Sequence, residues 1–86
     1  MDMTETDIFI WCQDTFERTK FIAAWDSDDP EIWEFAVPFE GNIINVTIEF
    51  VYEWHSIEFE FSSSEDEKNF YSLVREEEKK RRENNN

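Results

Sequence analysis

The chain has 86 residues, 40% apolar and 17% aromatic, and carries 22 Asp/Glu against 8 Lys/Arg for a net charge of −14. One domain of this length buries somewhat over ~60% of the surface that its unfolded chain exposes. Nine Phe and four Trp supply a dense core, which excludes a disordered acidic tail.

Several classes fall away on composition. No stretch approaches the ~18 consecutive apolar residues of a membrane span, and Met1–Glu5 leads into no long apolar run of the signal-peptide kind. Cys12 is the single cysteine, so no intramolecular disulfide and no oxidising compartment are needed. The expectation is one cytoplasmic domain over residues 1–86, in the host cytoplasm if the chain is viral. Its core should run over about 6–74, with a charged helix end and an Asn tail at 75–86. The charge is unevenly placed. Residues 1–62 hold fifteen acids with Arg18 and Lys20 as the only bases, whereas residues 63–86 hold seven acids and six bases. Charge packed onto one part of a fold steers basic partners toward it, and it opposes direct contact with nucleic acid.

In chain order, Ile8-Phe9-Ile10-Trp11-Cys12 reads as a strand that is apolar on both sides and so central in a sheet. Asp14 and Glu17 fit a capping box, which predicts a helix at about residues 14–25 with Phe16 and Ala23 inward. A strand over Thr19–Trp25 is the alternative. Ile32–Phe39 alternates with Trp33, Phe35, Val37 and Phe39 inward and Ile32, Glu34 and Ala36 outward. Pro38 lacks a ladder donor, so that strand should lie at an edge or end there. Ile43 to Phe61 also alternates, with Ile44, Val46, Ile48, Phe50, Tyr52, Ile57, Phe59 and Phe61 on one face. Period-two patterning rich in β-branched and aromatic residues is the mark of half-buried strands.

Turns at Gly41-Asn42 and Trp54-His55 would set Val37 opposite Val46, Phe35 opposite Ile48, Phe50 opposite Phe59 and Tyr52 opposite Ile57. The same registers place Glu34, Glu49 and Glu60 abreast on the outward face, with Glu58 following and no base among them. Ser64 and Glu67 fit a second capping box, opening a helix in which Phe70, Leu73 and Val74 dock on the sheet. Glu76–Lys80, Glu77–Arg81 and Glu78–Arg82 are i,i+4 pairs in the favourable order. The fold class is therefore α+β: a small antiparallel meander of three to four strands, covered on one face by a C-terminal helix and a second helix at about 14–25.

Chemistry points away from catalysis. Cys12 and His55 are the only thiol and imidazole, and nothing brings them together. One His and one Cys do not make a tetrahedral zinc site, and one glycine makes no phosphate-cradling loop. Asp26-Ser27-Asp28-Asp29-Pro30-Glu31 has the acidic oxygens calcium prefers, but Glu31 stands where the loop needs Gly and Val37 where it needs Glu. That segment is read as a solvated turn, Lys79-Lys80-Arg81-Arg82 as the ordinary basic end of a helix, and Asn45-Val46-Thr47 as an accidental sequon. No enzyme activity, cofactor or metal is expected.

What remains is the outward acidic face. Glu34, Glu49, Glu58, Glu60 and Glu53, broken by Val51, Ile32 and Ala36 and joined by Asp26, Asp28 and Asp29 of the loop, form a mixed surface that could bury against a basic protein. In size, acidity and aromatic content the chain resembles the DNA-mimic inhibitors that phages and mobile elements direct against restriction, CRISPR or repair nucleases, and immunity proteins against nuclease toxins. The likeness is one of composition, with no motif behind it. It implies an inhibitor that occupies the basic groove of a nucleic-acid-binding protein or nuclease. The alternative is an adaptor or regulatory subunit that docks a basic peptide or helix, with no nucleic-acid connection. Either form is expected as a monomer, or as a dimer if an uncovered strand pairs with a second copy.

Overall fold

A computed structural model describes residues 2–26, 29–51 and 56–84. Its elements follow the order α1 (Glu5–Thr15), β1 (Glu17–Ile22), β2 (Glu31–Phe39), β3 (Asn42–Val51), β4 (Ser56–Phe61) and α2 (Ser64–Asn84). The four strands form one antiparallel meander, β1-β2-β3-β4, and α2 packs on it, so the fold is α+β as expected. The first quarter of the chain is arranged differently from the expectation. Ile8–Cys12 belongs to a helix, and the stretch read as a helix at 14–25 holds strand β1.

The physical reason lies in the cap. The Asp7 N–H donates to Thr4 Oγ1 at 3.1 Å and the Thr4 N–H donates to Asp7 Oδ2 at 3.0 Å, a reciprocal capping box. Ile8, Phe9, Trp11 and Cys12 are then buried at helical spacing, and Ile10 turns outward. At Phe16 the backbone becomes extended, with its N–H donating to the Cys12 carbonyl at 2.9 Å. Beyond it, every residue of β1 is exposed. A run with no buried stripe has nothing to hold it as a helix, because packing of an amphipathic face supplies most helical stability.

Alternation in β2, β3 and β4 survives intact, but each hairpin slides by two residues. The first loop is Glu40-Gly41, not Gly41-Asn42, and both residues have positive φ, 46° and 81°. Two left-handed residues in a two-residue loop match the twist of the flanking strands. Phe39 therefore pairs with Asn42 and Phe35 with Val46, while Phe50 pairs with Ile57 and Ile48 with Phe59. A two-residue slide keeps every side chain on its face, which is why the burial pattern could not detect it. The expected turn at Trp54-His55, with Tyr52 and Glu53, lies outside the described residues.

Pro38 sits in a strand flanked on both sides, contrary to an edge placement, but one residue before that strand ends at Phe39, close to the other expectation. Its missing donor is nonetheless harmless, because β1 pairing stops at Glu17–Ala36 and does not reach it. The edges of the sheet are β4 on one side and, next to β2, β1. β1 is six residues long, carries Arg18 and Lys20 and bulges between them. Short length, Lys and a bulge are the usual means of discouraging an edge from pairing with another chain.

The core lies on one side of the sheet. Phe35, Val37, Ile44, Val46, Ile48 and Phe50 meet Ile8, Phe9, Trp11 and Cys12 of α1 and Phe70 and Val74 of α2. Phe9 makes edge-on contacts with Trp33, Phe35 and Phe50 at ring separations of 5.1, 6.2 and 4.7 Å. Ile57, Phe59, Phe61, Tyr71 and Leu73 pack around the rim. The cap of α2 lies one residue earlier than expected: the Asp66 N–H donates to Ser63 Oγ at 3.1 Å, so Ser63 takes the role assigned to Ser64, which becomes the first residue of the helix. Of the three ion pairs expected along the helix, Glu77–Arg81 forms at 3.0 Å. Glu78 instead accepts the Met3 N–H at 2.7 Å, tying the chain's start to α2. No helix among the described residues is long and apolar enough to cross a membrane.

Candidate functional site

Both helices use the same side of the sheet, so the opposite side keeps solvent contact along all four strands. None of the outward residues of β2, β3 and β4 is buried. The registers lay two rows across this face. One runs Lys20–Glu34–Thr47–Glu60 and the other Ile22–Ile32–Glu49–Glu58.

These rows correct the expected one. Glu34, Glu49 and Glu60 do not stand abreast, because the two-residue slide of each hairpin moves Thr47 between Glu34 and Glu60. Glu34 also has a basic neighbour: Lys20 is its register partner, and Thr19 Oγ1 donates to its Oε1 at 3.2 Å. The slide brings other carboxylates together. Glu49 is directly opposite Glu58, Glu60 is diagonal to it, and carboxylate oxygens of all three lie within 4.8 Å of one another. Partial burial raises the Glu49 pKa above its ordinary value, and the charges of Glu60 and Glu58 raise it further. Like charges opposed on a sheet face destabilise it.

The remaining expected site residues fall into two groups. Val51 and Ile32 are outward and half-buried beside this cluster. Asp26 and Asp29 are exposed in the β1–β2 connection at the same end of the sheet, closed by the Asp29 N–H donating to the Asp26 carbonyl at 3.0 Å. Asp28 and Glu53 lie outside the described residues.

As single ligands the three clustered glutamates supply only part of the roughly six to eight oxygens that calcium takes. Glu58 and Glu60 are exposed, so the cluster attracts cationic groups without enclosing an ion. Cys12 is fully buried, and desolvation pushes its thiol up to about 12. A thiol held neutral is not a nucleophile.

Beyond Ile32, Val51 and Ala36, the outward apolar surface extends to Pro38 and Ile43. Ile43 is 57% exposed and pairs with Pro38. With Ala36, Glu17, Thr15 and Phe16 they line a shallow hollow of about 340 Å³. A second hollow of about 270 Å³ is lined by Glu34, Asn45, Thr47, Glu60, Phe61 and Ser62. Parity alone puts Ile43 outward, which was the available signal. The junction that brings Phe16 beside it was not legible once residues 14–25 were read as a helix. No protein-family model, no curated protein and no solved structure matches this chain.

Proposed function

We propose that this chain is a non-enzymatic binding protein whose outer sheet face docks on a basic surface of another protein. The observation that carries the reading is the Glu49–Glu58–Glu60 cluster, held within 4.8 Å on the face that neither helix covers. The face as built is worse for folding than one with Lys or Arg interspersed, since opposed like charges cost stability. Lys20 is the one base among the described outward strand residues, and it stands by Glu34 rather than by the cluster. A surface kept at some cost in stability fits selection for a partner.

The form that commits furthest has this face occupy the groove of a nucleic-acid-binding protein or nuclease in place of phosphates, as an inhibitor of the anti-CRISPR or anti-restriction kind. The apolar hollow beside the acids favours the second form, an adaptor that takes a basic peptide, because phosphate mimicry has no use for an exposed isoleucine.

Binding of a fluorescent oligo-arginine peptide tests the common reading. The Glu49→Gln/Glu58→Gln/Glu60→Gln variant should bind more weakly than a control of equal net charge, Asp14→Asn/Glu40→Gln/Glu83→Gln. Equal loss in both variants would reduce the face to bulk acidity. Displacement of labelled DNA from a captured target then separates the two forms, with only the mimic competing.

A further inference from the structure

We infer that the outer face is a two-part peptide site, taking an apolar side chain in the hollow at Ile43 and a Lys or Arg in the neighbouring acidic hollow. The inference rests on the reading of this face as a docking surface and adds what the occupant must carry. The two hollows meet at the register pair Ala36–Asn45: Ala36 lines the first and Asn45 the second. Glu34 is two residues along β2 from Ala36, about 6.6 Å at the rise of a strand. An extended segment spans that interval with two residues, and a helix with three or four.

Each hollow has its own chemistry. Ile43, Pro38 and Ala36 give the first an apolar floor next to the half-buried ring of Phe16. That ring is fixed rather than adaptable, because it packs edge-on against Trp11 at 5.1 Å and its own N–H is bound to the Cys12 carbonyl. A wall set in place before binding costs little ordering on association. The second hollow has Glu34 and Glu60 on its rim, and Glu60 leads into the Glu49–Glu58 cluster. Along the face the order is therefore apolar, acidic, then more acidic. The matching segment has an apolar anchor followed at two to four positions by one or two basic residues. An apolar hollow is not a feature a purely electrostatic surface needs, and the acids are not a feature an apolar groove needs. Their adjacency selects the combination.

Two synthetic peptides form the probe: Gly-Leu-Gly-Arg-Arg-Gly and the charge-matched Gly-Ser-Gly-Arg-Arg-Gly, each titrated into the full chain by amide chemical-shift mapping. The leucine peptide should bind about tenfold more tightly than the serine peptide, the gain for burying one leucine. It should move the amides of Ala36 and Ile43 as well as those of Thr47 and Glu60. Ile43→Ser should abolish the leucine advantage. Because Ile43 is mostly exposed, that variant should fold with an unchanged melting temperature. Equal affinity of the two peptides, or a leucine advantage that survives Ile43→Ser, overturns the two-part site. If both then still weaken in the Glu49→Gln/Glu58→Gln/Glu60→Gln variant, the acidic docking face stands without it. No binding of either peptide removes both readings.

Discussion

The two faces of this sheet are made by the same residues in alternation, yet they obey different rules. On β3 the even positions Ile44, Val46, Ile48 and Phe50 are buried under two helices, and the odd positions Ile43, Asn45, Thr47, Glu49 and Val51 keep contact with water. The inner face is held by shape: aromatic rings in edge-on contact and no buried side-chain polar atom without a partner among the described residues. The outer face is not optimised for folding at all, since it exposes an isoleucine and crowds three carboxylates. The contrast teaches that the alternation which builds the fold also delivers a surface whose composition the fold leaves free.

The contrast breaks most sharply at the core. Phe35 is 0% exposed and touches Phe9 and Trp33. Phe35→Ala should cost about 3–5 kcal/mol, from lost transfer energy and the cavity left behind. That is a large part of the stability of a small domain. Urea denaturation measures it, and a loss below about 1 kcal/mol would mean the inner face does not close as described. Phe59 was legible as a core residue, but it sits half-buried at the rim of the sheet, so Phe59→Ala should cost less than Phe35→Ala.

Much of this was written in period-two alternation. The inward sets of β2, β3 and β4, the C-terminal helix and its Phe70–Leu73–Val74 stripe follow from spacing, because a strand or helix that must bury one face has few other solutions. Register was not legible. Slides of two residues preserve faces and leave no trace in polarity, and the deciding information was the positive φ that Glu40 accepts beside Gly41. The acidic cluster inherits this limit: Glu49, Glu58 and Glu60 were all recognised as outward, but which of them touch depends on register. The first helix was missed for a different reason. Five consecutive apolar residues match a buried strand as well as a helix, and Thr4 and Asp7, which decide for the helix, stand at the chain's start, before that run.

That cap gives the second test, of intermediate size. Thr4→Ala removes the oxygen that accepts the Asp7 N–H and should cost about 1 kcal/mol. The backbone and side chain of Thr4 also hold the Asp7 pKa below its ordinary carboxylate value. A depressed folded pKa contributes stability above the unfolded value, lost as pH falls through the folded one. Thr4→Ala keeps the backbone N–H that is the larger cause of this shift and removes the side-chain part, so it should move the Asp7 pKa part of the way back toward its ordinary value, read by carboxyl NMR shifts. An unchanged titration would leave α1 without its capping box.

The smallest expected effect on stability falls on the outer face, and its sign is the informative part. Glu49 has a raised pKa, from partial burial first and then from Glu60 and Glu58. A folded pKa above the unfolded one means that protonation favours the fold. The cost of the charged form is fully present above the folded pKa and is relieved as pH falls through it. Glu49→Gln removes that cost, so at neutral pH the variant should be equal to the parent or more stable by a few tenths of a kcal/mol, the scale of a cross-strand pair. Below the unfolded pKa of a glutamate, where the parent is itself protonated, the difference should vanish. Denaturation of both proteins at neutral and at acid pH measures this directly. The same substitution should weaken oligo-arginine binding, so stability and binding move in opposite directions. A core residue cannot produce that pattern, because truncating it lowers both. A less stable Glu49→Gln at neutral pH would place Glu49 among the groups that hold the sheet together and would erase the distinction between its two faces.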